Sequence, residues 1–485
     1  MHLSELINGD RLGAQPDVDI RGLTADSREV RPGFLFAALR GTREDGADFV
    51  ADAIAKGAAA VLAAPGAAGG PVPIIPDDNP RRALARFAAR FYHAQPATVA
   101  AVTGTNGKTS VVDFLRQIWR IAGHRAASLG TLGVVAPDSR VALGHTTPDP
   151  VKLHRCLAEL AADGVDHLAL EASSHGLDQF RLDGVAIGAA AFTNLSRDHL
   201  DYHADPESYF RAKARLFQEV MAPAGRAVLN AGSDATPRLT EMCRARGHQV
   251  LTYGAVAGAD LRLVGRRPIA AGQALELEIE GRAQTATLAL PGAFQAENAV
   301  AALGLALATG VAAEAALSAI AQLRGVPGRL QLAGRRANGA AVYVDYAHTP
   351  DALRHVLLSL GPHTAGRLHV VFGCGGDRDR GKRAQMGTLA AELADHAWVT
   401  DDNPRTEDPA AIRAEILAAC PAAREIGDRR TAIHAAVAGL AAGDVLVIAG
   451  KGHEQGQIVG AEIRRFDDVA EARAAIASAD HGDGS

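Results

Sequence analysis

The clearest chemical signal in this sequence is a glycine-rich segment at residues 104–110, which reads Gly-Thr-Asn-Gly-Lys-Thr-Ser. An apolar run precedes it and a helical pattern follows it. Glycines let backbone amides approach phosphate groups, and the N-terminus of a helix adds partial positive charge. We therefore expect a triphosphate site in which Lys108 contacts the β and γ phosphates and the Thr109 hydroxyl faces Mg²⁺. The common loop has glycine at the position of Val102, so this loop is a variant.

Two acidic and histidine-containing positions follow later apolar runs. Glu171 ends the run at 167–171, and the segment 194–203 contains Asp198 and His199 just after another run. In an open parallel sheet, ligands bind at the carboxyl ends of the strands. Glu171 is thus placed to hold Mg²⁺, or alternatively to cap the next helix. The residues of 194–203 could bind a metal ion or form an ordinary polar loop.

Lys213 lies on the apolar face of a predicted helix. Phe210, Lys213 and Phe217 are spaced i, i+3 and i+7, which places all three on one stripe, whereas Arg211 and Arg215 are expected to point outward,. A buried ammonium is costly unless it is paired or chemically converted, because a desolvated lysine loses its proton readily. The alternative is a lysine whose charged end reaches solvent.

The elements around these residues fall into three α/β blocks, because 485 residues exceed a single hydrophobic core,. Residues 1–92 contain short strand-like runs and end in an arginine-rich helical pattern. Residues 93–328 alternate apolar runs with helices and include a hairpin around Glu280-Gly281, and residues 329–485 contain a second open sheet,. We predict a small N-terminal α/β domain, a central P-loop-type ATPase domain with a parallel sheet, and a C-terminal Rossmann-like α/β domain, with a disordered tail at 480–485.

Composition excludes several classes of protein. With a net charge of -5, no global field recruits nucleic acid or membrane,. The longest uncharged stretch, 298–313, is shorter than the ~20 apolar residues of a membrane helix,. The N-terminus lacks a signal-peptide pattern. The four cysteines are far apart and form no CxxC pair, which fits a reducing compartment,. We therefore expect a soluble cytoplasmic protein without nucleic-acid or membrane partners.

The loop Gly-Thr-Asn-Gly-Lys-Thr resembles the ATP loop of the Mur ligases and their relative folylpolyglutamate synthetase. Further motifs of that family occur in order along nearly the whole chain. The resemblance implies ATP and Mg²⁺ as cofactors, with Lys213 carbamoylated so that it becomes an anionic metal ligand. The implied nucleotide-binding residues are Gly104, Thr105, Asn106, Gly107, Lys108, Thr109, Ser110, Asn298, Arg329 and Asp345. The implied metal ligands are Thr109, Glu171, His199 and Lys213, and the implied catalytic residues are Lys108, Lys213, Glu171, His199 and Arg329.

Other segments resemble the parts of the Mur ligases that bind a UDP-muramoyl dipeptide. Two of them are 145–148 and 171–181, and Asp26-Ser27-Arg28 resembles a uridine-binding segment. The implied contact residues are Ser27, Thr146, Thr147, Ser173, Gln179 and Arg181. The family often has asparagine at the position of His145, which we leave unassigned. By the same resemblance, residues 1–92 bind the UDP substrate, 93–328 bind ATP and 329–485 bind the amino acid.

The segment Asp402-Asn403-Pro404-Arg405 follows a predicted strand and resembles the loop that recognises the incoming amino acid. A planar guanidinium can form a bidentate pair with the extra carboxylate that distinguishes meso-diaminopimelate from lysine. The lysine-adding relatives lack this arginine, although a chance Asn-Pro turn could produce the same letters. The implied amino-acid contacts are Arg378, Asp402, Asn403, Pro404, Arg405, Gly450 and Glu454.

The resemblance implies an ATP-dependent amide-bond ligase of peptidoglycan precursor synthesis. Its expected substrates are UDP-MurNAc-L-Ala-D-Glu, whose D-glutamate side carboxylate would be activated as an acyl phosphate, and meso-diaminopimelate. We expect a monomer. The same ligase using L-lysine is the nearest alternative. A P-loop phosphotransferase acting on a small molecule would leave Lys213 and the 402–405 segment without a task. A nucleotide-dependent scaffold, the third alternative, would hydrolyse ATP independently of any amino acid.

Overall fold

The computed structural model describes residues 1–7, 15–41, 44–67, 70–196, 198–199, 202–269 and 272–482. Three main β-sheets follow one another along the chain, with four, eleven and six strands. Helices pack against each sheet, so the predicted three-domain α/β organisation is confirmed. The exact boundaries at 92/93 and 328/329 stay predictions. In the described residues, no helix has both the length and the apolar character needed to cross a membrane.

The N-terminal domain is a small parallel sheet with the strand order β1-β2-β3-β4. Its elements are α1 (Leu3–Ile7), β1 (Gly22–Thr24), β2 (Phe34–Ala37), a 3₁₀ turn (Gly46–Phe49), α2 (Val50–Ala55), β3 (Ala60–Ala63), β4 (Ile74–Pro76) and α3 (Pro80–Tyr92). Helix α3 begins at Pro80 because the Asn79 side chain accepts a hydrogen bond from the Arg82 backbone amide and Pro fits the first helical position,.

The central domain is built on the eleven-stranded sheet. Its first elements are β5 (Thr98–Thr103), α4 (Lys108–Ile121), β6 (Ala126–Gly130), β7 (Gly133–Val135), β8 (Arg140–Val141), α5 (Pro150–Ala162), β9 (His167–Glu171), α6 (Ser174–Asp178), β10 (Ala189–Phe192) and α7 (Pro206–Arg215). A π-helical turn (Leu216–Val220) extends α7. The remaining elements are β11 (Arg226–Asn230), α8 (Thr236–Ala245), β12 (Gln249–Gly254), β13 (Leu261–Ile269), β14 (Gly272–Ile279), β15 (Arg282–Leu288), α9 (Ala293–Ala308) and α10 (Ala313–Ile320).

The strand order β15-β14-β13-β12-β11-β10-β5-β9-β6-β7-β8 places β5 between β9 and β10, and these three strands run parallel. The loops after all three therefore meet at one edge, where open α/β sheets bind ligands. The predicted hairpin is confirmed, since β14 and β15 pair antiparallel and both Glu280 and Gly281 have positive φ between them,.

Two apolar cores sandwich the central sheet. One contains Trp119 of α4 and Leu303 of α9, and the other contains Phe210 and Phe217, together with Leu157 of α5. Aromatic residues make up only 4% of the chain, so both cores consist mainly of Ala, Val, Leu and Ile. Close packing of such small side chains holds α4 and β9 in fixed positions relative to β5.

The C-terminal domain carries the six-stranded sheet, with the order β16-β17-β21-β18-β19-β20. Its elements are β16 (Gln331–Arg335), β17 (Ala341–Asp345), α11 (Pro350–Leu360), a 3₁₀ turn (Gly361–His363), β18 (Leu368–Phe372), α12 (Gly381–Leu393), β19 (His396–Val399), α13 (Pro409–Leu417), β20 (Arg424–Glu425), α14 (Arg429–Ala438), β21 (Val445–Ala449), β22 (Gly456–Val459), β23 (Glu462–Arg465) and α15 (Asp468–Gly482). Only β16 pairs antiparallel within that sheet, which is the second open sheet that the sequence predicts.

The prediction of disorder at 480–485 is wrong for its first part. Helix α15 continues through Gly482. Within it, Asp480 accepts a hydrogen bond at 2.9 Å from Nε of Arg336, which is buried. This ion pair between distant parts of the chain orders the end of the helix. Residues 483–485 lie outside the described residues.

Candidate active site

The glycine-rich loop connects β5 to α4 as predicted. Gly107 has φ of 87° and immediately precedes the first helical residue, Lys108. A Cβ at Gly107 would lie 2.5 Å from Oδ1 of Asn298, so a side chain there would be strained and would collide with Asn298,. The loop is anchored to the end of β10, because the Asn106 amide donates to Oδ1 of Asn194 at 2.9 Å and the Thr193 hydroxyl donates to the Asn106 carbonyl at 2.6 Å.

Glu171 ends β9 directly opposite the loop and is 1% exposed. Its Oε2 accepts from Thr109 Oγ1 at 3.1 Å and from Thr131 Oγ1 at 3.1 Å, and its Oε1 accepts from the Thr131 amide at 2.8 Å. The carboxylate is thus fixed beside the hydroxyl that the sequence assigns to Mg²⁺. It does not cap the following helix, because the Ser173 side chain does so.

Lys213 lies on the buried face of α7 and is 1% exposed. Its Nζ donates to the Gly104 carbonyl at 2.7 Å and lies 4.2 Å from the centre of the Tyr209 ring. Burial lowers the pKa of Lys213 well below its usual range, and the neighbouring Lys108 ammonium lowers it further. The predicted burial of Lys213 is therefore confirmed, whereas the alternative of a solvent-reaching ammonium does not fit the structure.

The prediction that Arg215 points outward is wrong. Arg215 is buried and forms an ion pair with Asp183 at 2.6 Å, stacked over the Phe180 ring at 4.1 Å. The segment around Asp183 supplies the partner that offsets the cost of burial, which helical periodicity alone does not reveal. Arg211 is exposed as expected.

His199 lies at the edge of the same site. It has φ of 53°, its side chain is 43% exposed, and its Nε2 lies 3.5 Å from Oδ2 of Asp198. The structure thus brings His199 to the cavity that Lys213 and Glu171 line. Residues 197, 200 and 201 of this loop lie outside the described residues.

The C-terminal domain closes the site from the other side. Arg329 donates from Nη2 to Thr109 Oγ1 at 3.3 Å and stacks over the Tyr346 ring at 4.5 Å. The Asn106 side chain donates to Oδ2 of Asp351, at the start of α11, at 3.0 Å. The phosphate-loop segment therefore contacts Arg329, where the central domain joins the C-terminal domain, and also the first helix of the C-terminal domain.

Asp345 ends β17 and is buried beside Arg329. Its carboxylate accepts from the backbone amides of Leu330 at 2.5 Å and Ala347 at 2.8 Å. Burial raises the pKa of Asp345 to about 6, although Arg329 and these two amides oppose the shift. The carboxylate therefore fixes the chain around Arg329 and lines the cavity at once.

A cavity of about 520 Å³ lies between the two domains, a volume in the range of small-molecule sites,. Most of the residues predicted to bind nucleotide and metal line it: Thr105, Asn106, Gly107, Lys108, Thr109, Ser110, Glu171, His199, Lys213, Asn298, Arg329 and Asp345. Gly104 does not line it, but its carbonyl lies directly behind the loop and accepts from Lys108 and Lys213.

The residues predicted to contact the dipeptide form a hydrogen-bonded chain that leads away from this cavity. Thr146 and Ser173 line the cavity itself. Thr147 Oγ1 accepts from Ser173 Oγ at 3.0 Å, and Arg181 Nη1 donates to the Thr147 carbonyl at 2.6 Å. Arg181 also donates to Oε1 of Gln179 at 2.7 Å. The structure thus brings these five residues close together, with Thr147 buried among them.

A second group of predicted residues lies apart, on the C-terminal sheet. Arg405 has φ of 53° and donates from Nη1 to the Gly376 carbonyl at 2.9 Å. A Cβ on Gly375 would lie 2.8 Å from Arg405 Nη1 and 3.9 Å from Arg378 Cγ, so Gly375 separates the two arginines. The Arg405 guanidinium and the aliphatic part of the Arg378 side chain therefore border the same glycine. A guanidinium is the group that binds a carboxylate in a bidentate pair.

The other members of this group lie next to the arginines. Asn403 Nδ2 donates to Glu454 Oε2 at 3.1 Å, and Pro404 packs against Gly376. Asp402 is 8% exposed, and its Oδ2 has no hydrogen-bond partner among the described residues. Gly450 has φ of 120° and touches Asp402, where a Cβ would collide with Oδ2. All seven predicted residues thus meet at one place.

Ser27 lies in neither group. It lines a cavity of about 1270 Å³ between the N-terminal sheet and α5 of the central domain. Five basic and four acidic side chains line the same cavity, and Lys152 and Arg155 of α5 are among the basic ones. Among the described residues, Ser27 therefore lies apart from the other five predicted dipeptide contacts, two of which line the cavity of the phosphate loop.

Three residues that hold other side chains of the predicted sites in position were not identified from the sequence. Thr131 holds both oxygens of Glu171, Tyr346 stacks on Arg329, and Lys451 joins Asn403 to Glu454 with Nζ distances of 2.9 and 3.0 Å. Thr131 and Tyr346 give no local signal, because their contacts depend on pairing between distant segments. Lys451 could have been noticed between Gly450 and Glu454.

Models of Mur ligase domains match most of the chain. The Mur ligase family catalytic domain matches residues 19–92, the Mur ligase middle domain matches 102–306, and the Mur ligase glutamate ligase domain matches 328–452. These matches follow the order of the three sheets.

Several relatives match the chain over nearly its full length. It is 55% identical to a UDP-N-acetylmuramoyl-L-alanyl-D-glutamate–2,6-diaminopimelate ligase from Caulobacter vibrioides, covering 96% of this chain and 97% of the relative. A protein of the same name from Bradyrhizobium diazoefficiens is 51% identical and covers 99% of each chain. A solved structure of such a ligase is 36% identical, with a TM-score of 0.73 and 99% of each chain covered. Mycobacterium tuberculosis folylpolyglutamate synthase, 20% identical with a TM-score of 0.63 over 81% of this chain and 93% of its own, shares the fold. The chain belongs to the Mur ligase family.

Proposed function

We propose that this protein is an ATP-dependent ligase that joins meso-diaminopimelate to the D-glutamate side carboxylate of UDP-MurNAc-L-Ala-D-Glu, in peptidoglycan precursor synthesis. The observation that carries the proposal is the joint arrangement of two sites. The phosphate loop, Glu171 and Lys213 line one cavity, and Arg405 and Arg378 both border Gly375 in the C-terminal domain. The names of the relatives, at 51–55% identity over nearly the whole chain, support the same substrates.

ATP would occupy the cavity between the central and C-terminal domains. Its phosphates would bind the amides of the loop and the Lys108 ammonium at the N-terminus of α4. Arg329 would approach the γ phosphate from the C-terminal domain, since its guanidinium already touches Thr109. Asn298, packed against Gly107, and Asp345 would define the nucleotide side of the cavity.

The donor set beside the loop suits Mg²⁺, which prefers oxygen ligands. The Thr109 hydroxyl and the Glu171 carboxylate lie 3.1 Å apart. His199 and Lys213 line the same cavity. Lys213 fits only as a carbamate, because conversion of its neutral amine adds the anionic oxygens that the ion requires. When bound, Mg²⁺ supplies Lewis-acid polarisation of the phosphoryl oxygens.

The reaction would proceed in two steps. The D-glutamate side carboxylate attacks the γ phosphorus of ATP, which forms an acyl phosphate and releases ADP. The amine of meso-diaminopimelate then attacks the acyl carbon, loses its proton and displaces inorganic phosphate through a tetrahedral intermediate. Lys108 and Arg329 would stabilise the charge that develops on the transferred phosphoryl group.

Selection of the amino acid would depend on the cluster around Arg405. Its guanidinium would bind the carboxylate that lysine lacks, and lysine would leave this cation unpaired. Oδ2 of Asp402 is buried and has no hydrogen-bond partner among the described residues. It would accept a hydrogen bond from an ammonium group of the amino acid. The cavity around Ser27, with Lys152 and Arg155, would hold the UDP group. We further propose that residues 1–92, 93–328 and 329–485 form the UDP-substrate, ATP and amino-acid domains of a monomer.

The test is phosphate release from ATP in the presence of UDP-MurNAc-L-Ala-D-Glu, with meso-diaminopimelate, L-lysine or no amino acid. Release that requires diaminopimelate and yields a UDP-linked tripeptide would support the proposal. Release driven by lysine would retain the ligase and overturn the choice of amino acid. Release that is indifferent to both would favour a phosphotransferase or a nucleotide-dependent scaffold.

A further inference from the structure

A cluster of two histidines and one aspartate lies at the end of the central sheet that is remote from the loop. His124 is in the turn between α4 and β6, Asp166 precedes β9, and His167 begins β9. One ligand atom from each lies within 4.8 Å of the other two. At ~3.3 Å per residue, His167 is about 13 Å along β9 from Glu171, so the cluster is separate from the ATP cavity.

The backbone holds the two segments of this cluster together. The Asp166 amide donates to the Arg125 carbonyl at 3.0 Å, and β6 pairs with β9 with Ala126 opposite His167. The rings of His124 and His167 lie 3.9 Å apart between centroids. The Arg125 side chain donates to Asp138 and to the Asp163 carbonyl, each at 3.1 Å. No cation among these contacts competes for the Asp166 carboxylate.

The distances are close to those of a metal site with three protein ligands. Nδ1 of His167 lies 2.8 Å from Oδ1 of Asp166, and Nδ1 of His124 lies 4.0 Å from its Oδ2. Tetrahedral Zn²⁺ with bonds of ~2.0–2.1 Å separates its ligand atoms by about 3.3 Å, between these two values. The first separation is about 0.5 Å shorter and the second about 0.7 Å longer than that distance,. The side chains of His124 and Asp166 are 36% and 48% exposed, so an ion can reach the cluster from solvent.

We propose that His124, Asp166 and His167 form a binding site for a divalent transition-metal ion of the Zn²⁺, Co²⁺ or Ni²⁺ type. Two imidazoles and one carboxylate suit these ions, whereas Mg²⁺ and Ca²⁺ take mainly oxygen ligands. The ion would link the turn that follows the phosphate-loop helix to the start of the strand that carries Glu171.

The molecule contains its own reporter of such an ion. Trp119 of α4 is buried, with its ring 5.0 Å from the His167 ring, and its Nε1 donates to Thr309 at 3.0 Å. The chain has two tryptophans, so Trp398→Phe leaves Trp119 as the single source of tryptophan fluorescence. A paramagnetic ion beside His167 should quench it.

The experiment titrates the full-length, chelator-treated Trp398→Phe protein with Co²⁺ in the presence of excess Mg²⁺. We expect saturable quenching with one equivalent bound, and His124→Ala should weaken the apparent affinity by about tenfold or more. His434→Ala is the matched control, since His434 is 37% exposed and lies 3.8 Å from a carboxylate oxygen of Glu471. It should leave the titration unchanged.

Thermal unfolding of the protein with all its tryptophans, in the presence of Zn²⁺, provides a second measurement. Ligand that binds only the folded state raises Tm, so Zn²⁺ should raise it in the parent and in His434→Ala but not in His124→Ala. Quenching that does not saturate, or that persists at the same Co²⁺ concentration in His124→Ala, would overturn the proposal. An absence of both quenching and a Tm shift would show that the cluster is only a packed histidine pair with a hydrogen-bonded aspartate.

Discussion

Nζ of Lys108 and Nζ of Lys213 donate to the same acceptor, the carbonyl oxygen of Gly104, at 2.8 and 2.7 Å. Two ammonium groups so close together repel each other strongly in a partly desolvated site. Burial lowers the pKa of both lysines, and that of Lys213 falls well below its usual range. The conflict is resolved if Lys213 carries a neutral amine. A neutral amine can add to CO₂ and release a proton, and the resulting carbamate would convert the repulsion into an ion pair with Lys108.

The first prediction concerns Lys213→Met. We expect the variant to fold, because an apolar side chain replaces a buried polar one. Its ligase activity should fall by about a hundredfold or more, since an anionic ligand of the Mg²⁺ that polarises the phosphoryl oxygens is lost. Phosphate release measures the activity, and ¹³C NMR after equilibration with ¹³CO₂ should show a carbamate signal in the parent that is absent in the variant. Arg211→Met, on the exposed face of α7, is the control. Full activity in Lys213→Met would exclude a carbamate as a required ligand.

The second prediction concerns the charge of Glu171. Glu171→Gln keeps the size of the side chain and can still bind the Thr109 and Thr131 hydroxyls, but it removes the negative charge. The Mg²⁺ concentration for half-maximal activity should rise by about tenfold or more. Mutation of residues that only hydrogen-bond to a metal ligand already lowers metal affinity by about that factor. A Mg²⁺ titration of phosphate release measures the change. Glu159→Gln, exposed on α5, should behave as the parent, and an unchanged Mg²⁺ requirement in Glu171→Gln would contradict the assignment.

Much of this arrangement could be predicted because its signals are local. The phosphate loop is read within seven residues, and the burial of Lys213 follows from the spacing of Phe210 and Phe217 along one helix. Arg215 was misplaced because its burial depends on Asp183, a partner from a distant segment. Thr131 was missed for the same reason, since it reaches Glu171 only after β6 and β9 pair. Residues whose role is to hold another side chain across the sheet leave no periodic pattern in the sequence.

The third prediction concerns amino-acid selectivity. Arg405 has φ of 53°, a conformation that asparagine tolerates better than most residues, so Arg405→Asn removes the guanidinium with little backbone strain,. Loss of a charge-assisted pair of ~1.5–3 kcal/mol should lower kcat/KM for meso-diaminopimelate by about tenfold to a hundredfold. The preference over L-lysine should shrink accordingly. Steady-state kinetics with both amino acids measure it, with the exposed Arg464→Asn as control. An intact preference would show that Arg405 does not select the substrate.

The fourth prediction is a pH dependence of stability. The pKa of Asp345 is about 6 in the folded protein, above the ordinary aspartate value of 3.8, so the folded state binds more protons between these values. The stabilisation from Asp345 is therefore complete below the unfolded pKa and is lost as the pH rises through about 6. The difference between the folded and unfolded pKa values of Asp345 corresponds to at most about 3 kcal/mol in the free energy of unfolding.

Asp345→Asn removes this titration. The Tm of the parent minus the Tm of the variant should therefore decrease as the pH rises from about 5 to about 7. Thermal unfolding monitored by circular dichroism across that range measures the difference. Asp408→Asn changes an exposed helix cap and serves as the control. If the Tm of the parent minus the Tm of the variant stays constant or increases with pH, Asp345 does not titrate as described.

The last prediction concerns Lys451, which is 0% exposed and joins two residues of the amino-acid cluster. Its Nζ donates to Asn403 Oδ1 at 2.9 Å and to Glu454 Oε2 at 3.0 Å. Lys451→Met fills the same space but releases both partners. Lys451 acts as a positioning residue, so its loss should raise the KM for meso-diaminopimelate by about tenfold. The size of this effect follows from the ~1.5–3 kcal/mol that a hydrogen bond to a charged group contributes. The KM for ATP should stay unchanged, since the ATP cavity is lined by other residues. A parallel rise in both KM values, or a fall in kcat alone, would mean that Lys451 supports the fold of the domain rather than the position of Asn403 and Glu454.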